Sequence, residues 1–253
     1  MTWMHIAASV TGISHKNRHE TGQDYCRATV VQFGDREYFI GLAADGAGST
    51  TEGGVGAQIA CDTILSCITD SIRGSGGDLA QVLATEAEGW VAASRDAIAE
   101  QARVTGKNLR EYACTLVGCV IADNHAWYFQ VGDGGIVIHE EPGYSAVFWP
   151  DQGEYANTTY FITDDAFLSH LCQLRSDTPP DEIALFTDGL QNLVLSFSKR
   201  TPHAGFFRPL FETLRKSPGG ENGVLTEQLR TFLLGREINE RSDDDKTLIL
   251  AVR

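Results

Sequence analysis

Residues 39–68 constrain the fold of this chain more than any other stretch. Phe39-Ile40-Gly41-Leu42-Ala43-Ala44 is an unbroken apolar run with the length of a buried strand. It stops at Asp45-Gly46, and a glycine-rich loop follows through Ala47, Gly48, Ser49, Thr50, Thr51, Glu52, Gly53 and Gly54. Val55, Ile59, Ile64 and Ile68 then recur at roughly the spacing of one helical face. A carboxylate at such a junction either stays in water or meets a cation, because an unpaired buried charge is costly. Taken alone, Asp-Gly reads as an ordinary turn dipeptide.

The pattern recurs. A second apolar run, Ile183-Ala184-Leu185-Phe186-Thr187, also ends in Asp-Gly, at Asp188-Gly189. Ser242-Asp243-Asp244-Asp245-Lys246 leads into the strand-like Thr247-Leu248-Ile249-Leu250-Ala251-Val252, and Gln23-Asp24 introduces a strand over 25–33. Acidic sites thus stand at strand ends from residue 24 to residue 244. Oxygen ligands without clustered His or Cys suit a hard cation such as Mg²⁺ or Mn²⁺, and not zinc.

In this order, Gln23-Asp24, Ala44-Asp45-Gly46-Ala47-Gly48, Phe186-Thr187-Asp188-Gly189 and Asp244-Asp245-Lys246-Thr247 resemble the metal-dependent serine/threonine phosphatases of the protein phosphatase 2C type, in their bacterial style. Ala113-Cys114-Thr115-Leu116-Val117-Gly118, followed by Phe129-Gln130-Val131-Gly132-Asp133-Gly134, looks like that family's central hairpin. The resemblance runs over nearly the whole chain. It implies an α+β fold: a central β-sandwich of two mostly antiparallel sheets flanked by helices, in four α-β-β-α layers. It also implies two Mn²⁺ or Mg²⁺ ions at one end of the sandwich. Asp45 would bridge them, with the Gly46 carbonyl as a further ligand; Asp188 and Asp244 would hold one ion and Asp24 would order the other. Two cations about 3.5–4 Å apart lower the pKa of a bridging water and neutralise phosphoryl oxygens. Phosphoserine and phosphothreonine in proteins would then be hydrolysed directly, without a covalent phosphoenzyme.

In that family an arginine just upstream of the first acid holds the substrate phosphate, since its planar fork binds two oxygens at once. Here the usual slot is His19, with Arg18 beside it, in a basic stretch that also contains His15 and Lys16. Arg18 is the expected phosphate ligand, with His15 or His19 as substitutes. The family's frequent proton-donating histidine after the second acid is replaced by Ala47, which leaves His15, His19 or a water for that task. Gln23 stands where members often carry an acid, and Asn192 where many carry an Asp for a third, weaker ion; Glu111 is a candidate replacement. These departures keep two other readings open: a metal-binding regulatory pseudo-phosphatase, and a hydrolase of small phosphate esters.

Composition narrows the partners. Apolar content of 42% over 253 residues is ample for a core, and 21% charged residues argues against disorder. A formal charge of −14 makes nucleic acid or an anionic membrane a poor partner. No apolar run approaches membrane-spanning length, and the N-terminal residues lack a secretory pattern. Six scattered cysteines without a Cys-x-x-Cys pair fit a reducing cytoplasm. The implied partners are a phosphorylated protein and a cognate Ser/Thr kinase.

Along the rest of the chain, strands are expected over 3–10 and 135–139, a hairpin over 112–122 and 126–131, and a loop over 11–22. Helices are expected over 78–104, 190–195, 206–216 and 224–234. Breakers between 140 and 163 mark the region where the resembled family places a variable flap. Asp133 reads as a turn residue, Asp164, Asp165 and Asp243 as surface charges, and His125, His139 and His203 suggest no partner. Without a linker or repeat, residues 1–253 read as one domain.

Overall fold

The apolar run at residues 39–44 lies in a strand buried on both faces. Tyr38, Ile40, Leu42 and Ala44 enter one core, while Phe39 and Ala43 enter another. Covering both faces removes the apolar–polar alternation of a half-exposed strand, which is why the run is unbroken.

The computed structural model describes residues 2–77, 79–150, 159–217 and 220–253, with backbone alone for 79–86 and 220–221. The first half runs β1 (Met4–Val10), α1 (Ile13–Asn17), β2 (Asp24–Phe33), β3 (Arg36–Asp45), α2 (Gly53–Gly74), α3 (Leu79–Thr105), β4 (Leu116–Ile121) and β5 (Ala126–Val131). Then come β6 (Gly135–Glu140), β7 (Gly143–Ala146), β8 (Cys172–Ser176), β9 (Glu182–Phe186), α4 (Gln191–Val194), β10 (Leu195–Ser196) and β11 (Thr201–Pro202). The chain ends with α5 (Ala204–Arg215), β12 (Gly220–Glu221), α6 (Gly223–Leu233), α7 (Arg236–Asn239) and β13 (Lys246–Val252).

Two sheets result, ordered β12-β1-β13-β9-β6-β7 and β2-β3-β4-β5-β8, with β10 and β11 as a separate ribbon. The long pairings are antiparallel; the short β1–β12 contact is parallel. Phe39, Val117, Tyr128, Ile136, Leu185 and Ile249 pack between the sheets. Ala60, Ile64 and Ile68 of α2 and Val91 and Ile98 of α3 cover the outer face of the five-stranded sheet. Phe207, Phe211 and Leu214 of α5 and Leu229 and Leu233 of α6 cover the other. The layers are helix, sheet, sheet, helix, as the resemblance implies. Among the described residues no helix is long and apolar enough to cross a membrane.

The strand pairing brings the acids to one end. Asp24 and Asp45 are register partners across β2 and β3. In the other sheet Phe186 pairs with Leu248, so the turn after β9 lies beside the turn before β13. One expectation is corrected here: the segment 11–22 is not all loop, because α1 forms within it and closes with Glu20 N–H donating to His15 C=O at 3.0 Å and His19 N–H to Lys16 C=O at 3.1 Å. The expected cap Asp78 and residues 151–158 of the expected flap lie outside the described residues.

Candidate metal centre

Where the two sheets end together, a cavity of about 210 Å³ opens, lined by His15, Asp45, Gly46, Asp133, Asp188 and Asp244 among others. Asp45 is central. Its carboxyl stands within hydrogen-bonding reach of both Asp24 and Asp188. Its backbone is fixed from β4's side, with Thr115 N–H donating to Asp45 C=O at 2.8 Å and Asp45 N–H to Thr115 Oγ1 at 3.1 Å.

Asp24 lies behind Asp45, gripped from the opposite sheet. The hydroxyls of Thr187 and Thr247 donate to Asp24 Oδ2 at 2.7 and 2.8 Å. Asp24 Oδ1 is buried and has no partner among the described residues. A buried carboxylate oxygen with no donor is expensive, so a missing positive partner is the natural complement. The titration of the cluster says the same. Burial, partly offset by the hydrogen bonds from Thr187 and Asp45, pushes Asp24 up to about 6. Burial, then the charges of Asp133, Asp244 and Asp24, pushes Asp188 up to about 7. Asp45 is raised well above the usual carboxylate range, by burial first and then by Asp24 and Asp188. These are carboxyls crowded together, and an all-oxygen set of this kind fits Mg²⁺ or Mn²⁺. Among the described residues no three His, Cys, Asp or Glu side chains stand as a closed ligand cage; Asp45 instead points at its acidic neighbours.

Asp245 borders the cluster, and sequence reasoning did not single it out. Its carboxyl is 2% exposed and accepts Gly12 N–H at Oδ1 (2.7 Å) and Gln23 N–H at Oδ2 (2.6 Å). It thereby ties the start of β13 to the loop after β1 and to the entry of β2. Next to it, the buried Lys246 donates to Asp244 C=O at 2.6 Å, and burial holds its ammonium below the usual lysine range. Gly189 permits this closeness: a Cβ there would sit 1.9 Å from Asp245 O. Thr187 and Thr247 were also missed, although a hydroxyl at the end of an apolar run is a readable signal.

The basic stretch divides. His15 is buried on the cavity wall, with Nδ1 at 3.0 Å from Asp245 Oδ1. Arg18 is exposed, donates to Glu20 Oε2 at 2.7 Å and to Ser14 Oγ at 3.1 Å, and is not part of the cavity lining. His19 is exposed at φ +58°, on the turn that closes α1, and is likewise not in the lining. Gln23 donates to Thr50 C=O at 2.9 Å, bracing the glycine loop. Glu111 accepts from Thr51 Oγ1 at 3.2 Å in the same loop, and Asn192 is exposed and lines a different groove. Ala47 is buried on the cavity wall. Asp133, read as a turn residue, reaches the cavity and accepts from Thr159 Oγ1 at 2.5 Å. His125, expected to lack a partner, pairs with Asp177 at 3.0 Å. The Cys-x5-Arg spacing of Cys67 and Arg73 falls inside α2 and forms no phosphate-cradling loop.

Comparison with known proteins agrees with this architecture. The family model described as Protein phosphatase 2C matches residues 11–234. The chain is 35% identical over 253 residues to Serine/threonine-protein phosphatase 3 of Escherichia coli (strain K12), covering 100% of this chain and 99% of that protein. A crystal structure of a bacterial serine phosphatase aligns with a TM-score of 0.64 at 15% identity, over 98% of this chain and 97% of its own. The catalytic domain of the serine threonine protein phosphatase PstP, in complex with two manganese ions, aligns at 0.58 and 15% identity, over 99% and 98%. Both structures share the fold. The family-model match over residues 11–234 and the 35% identity across the whole chain place it in the protein phosphatase 2C family of serine/threonine phosphatases.

Proposed function

We propose that the acid cluster is the catalytic centre of a phosphatase that hydrolyses phosphoserine and phosphothreonine in proteins, and that residues 1–253 act as one domain in doing so. The observation that carries the reading is Asp45, standing between Asp24 and Asp188 with Asp244 on the same cavity wall. Asp45, Asp188, Asp244, Asp24 and the Gly46 carbonyl are the groups that would hold two Mn²⁺ or Mg²⁺ ions. Such ions, when bound, offset the phosphoryl charge and make an attacking water more acidic.

The chain's own residues favour direct attack by water on phosphorus. Cys114, near Asp45, is fully buried with its thiol pushed well up by that burial and by the Asp45 charge, so Cys114 is no thiolate nucleophile. The threonine hydroxyls fix Asp24 from below, and Asp245 fixes the entry to β2. The cavity is smaller than the roughly 300–1,000 Å³ of pockets that enclose small ligands, which supports a phosphoester presented on a protein chain. Arg18 remains the phosphate ligand only if it leaves Glu20 and swings toward the opening. Six scattered cysteines without a Cys-x-x-Cys pair support a reducing cytoplasm, and a Ser/Thr kinase is the implied counterpart.

The test is turnover of a phosphothreonine peptide and of p-nitrophenyl phosphate, with Mn²⁺ and with chelator. Wild type should turn over both in a Mn²⁺-dependent way, and Asp45→Ala should lose on the order of 10³-fold in kcat. Folded wild type that is inert at every Mn²⁺ concentration would overturn the enzyme reading in favour of a regulatory module.

A further inference from the structure

The family's frequent proton donor is missing at Ala47, yet the cavity wall holds an imidazole. Three features of His15 set it apart. Its side chain is only 4% exposed, although it belongs to the most basic stretch of the chain. Its Nε2 is buried and has no partner among the described residues. Its Nδ1 stands 3.0 Å from Asp245 Oδ1, close enough for an ion pair although the angle falls short of a full hydrogen bond. Both Asp245 oxygens already accept backbone N–H groups, so Asp245 offers lone pairs, not a proton, to the ring. A carboxylate beside Nδ1 fixes the orientation of the ring. Among the described residues lining the cavity, His15 is the one side chain able to carry positive charge.

From this geometry we infer that His15 is the general acid of the reaction, with Asp245 as its positioning residue. The inference rests on the phosphatase reading. As water adds to phosphorus and the bond from phosphorus to the serine or threonine oxygen breaks, Nε2–H gives its proton to that leaving oxygen. The products are the free hydroxyl, inorganic phosphate and a neutral imidazole, which solvent reprotonates; the proton lost by the attacking water goes to solvent. The titratable groups around the ring are all acidic: Asp245 beside it, and Asp45, Asp133, Asp188 and Asp244 on the shared cavity wall. Lys16, on the same short helix, is exposed to solvent.

Leaving-group dependence separates this role from its rivals. A serine or threonine alkoxide needs a proton to depart, whereas p-nitrophenolate leaves readily without one, so losing a general acid harms the first ester selectively. The experiment measures kcat and KM of wild type, His15→Gln, His15→Asn and Asp245→Asn on a phosphothreonine peptide and on p-nitrophenyl phosphate at saturating Mn²⁺. Thermal melting and Mn²⁺ titration calorimetry verify folding and metal binding. His15→Asn places an amide near the position of Nδ1, beside Asp245, while removing the Nε2 proton, so it guards against misfolding of the glutamine variant. Both His15 variants should lower the ratio of peptide kcat to p-nitrophenyl phosphate kcat by about 100-fold, and Asp245→Asn should lower it by about 10-fold. Equal losses on both esters, a loss confined to KM, or no loss would overturn the assignment. A folded wild type inert on both esters would instead overturn the phosphatase reading, and this assignment with it.

Discussion

His19 lies at φ +58° because α1 needs a left-handed residue to end. Its N–H and that of Glu20 reach back to Lys16 and His15 in the double closure that glycine usually serves. A side chain with a Cβ is strained there, so His19→Gly should stabilise the protein by about 0.5–1 kcal/mol. Its melting temperature should rise by about 1–3 °C with kcat unchanged. A fall in kcat comparable to that of a His15 variant would return His19 to the site. The same short helix explains what was legible residue by residue. The gathering of Asp24, Asp45, Asp188 and Asp244 at one end of the sheets was legible, because a charge that borders a strand leaves a pattern along the chain. Which basic residue faces the site was not, because that depends on α1 forming and turning His15 inward and Arg18 out toward Glu20. Asp245 was hidden for a related reason. Within Asp243-Asp244-Asp245, what sets the third of three identical side chains apart is contact with Gly12, His15 and Gln23, more than two hundred residues away in sequence.

At the scale of elements, the site depends on how closely β3 and α2 approach. A Cβ on Gly46 would stand 2.2 Å from Gly53 C and 2.6 Å from Gly53 O, so backbone would have to move. Gly46→Ala should therefore cost about 3 kcal/mol. The urea midpoint should fall with an unchanged slope, and Mn²⁺ affinity should fall with it, because the displaced carbonyl belongs to the same loop. A midpoint equal to wild type would show that the junction is looser than its geometry requires. The long elements behind this junction were legible because each is covered on a face or faces that set its periodicity: β3, β9 and β13 as unbroken runs, α2 as a one-sided helix. The two-residue strands β10, β11 and β12 carry too few side chains to form a pattern. The expected helix over 190–195 became a one-turn α4 that passes directly into β10, since Leu195 and Ser196 pair with β11 instead of extending the helix.

For the whole molecule, the acid cluster sets how stability responds to pH and metal. Asp24 is pushed up to about 6 and Asp188 to about 7, in both cases by burial first. Each group binds its proton more tightly folded than unfolded, so the folded state is at no disadvantage below about pH 4, where both states are protonated. As pH rises through 6 and 7 the folded form must ionise these buried groups, and stability is lost. A tenfold change in proton affinity is worth about 1.4 kcal/mol, so after the site relaxes the two together cost on the order of 2–4 kcal/mol above pH 7. Divalent ions bind the ionised carboxylates of the folded chain and reverse that cost through linkage. In chelator the melting temperature should therefore fall between pH 5 and pH 8, and added Mn²⁺ should raise it far more at pH 8 than at pH 5. Asp188→Asn removes one of the charges that the folded state resists. It should raise the melting temperature in chelator at pH 8, by the equivalent of about 1–2 kcal/mol, while shrinking the Mn²⁺ response and abolishing turnover. A chelated protein that grows more stable from pH 5 to pH 8, or an equal Mn²⁺ shift at both, would mean that the carboxyls are already balanced without metal. The cluster would then be a structural feature of the sandwich end and not its catalytic centre.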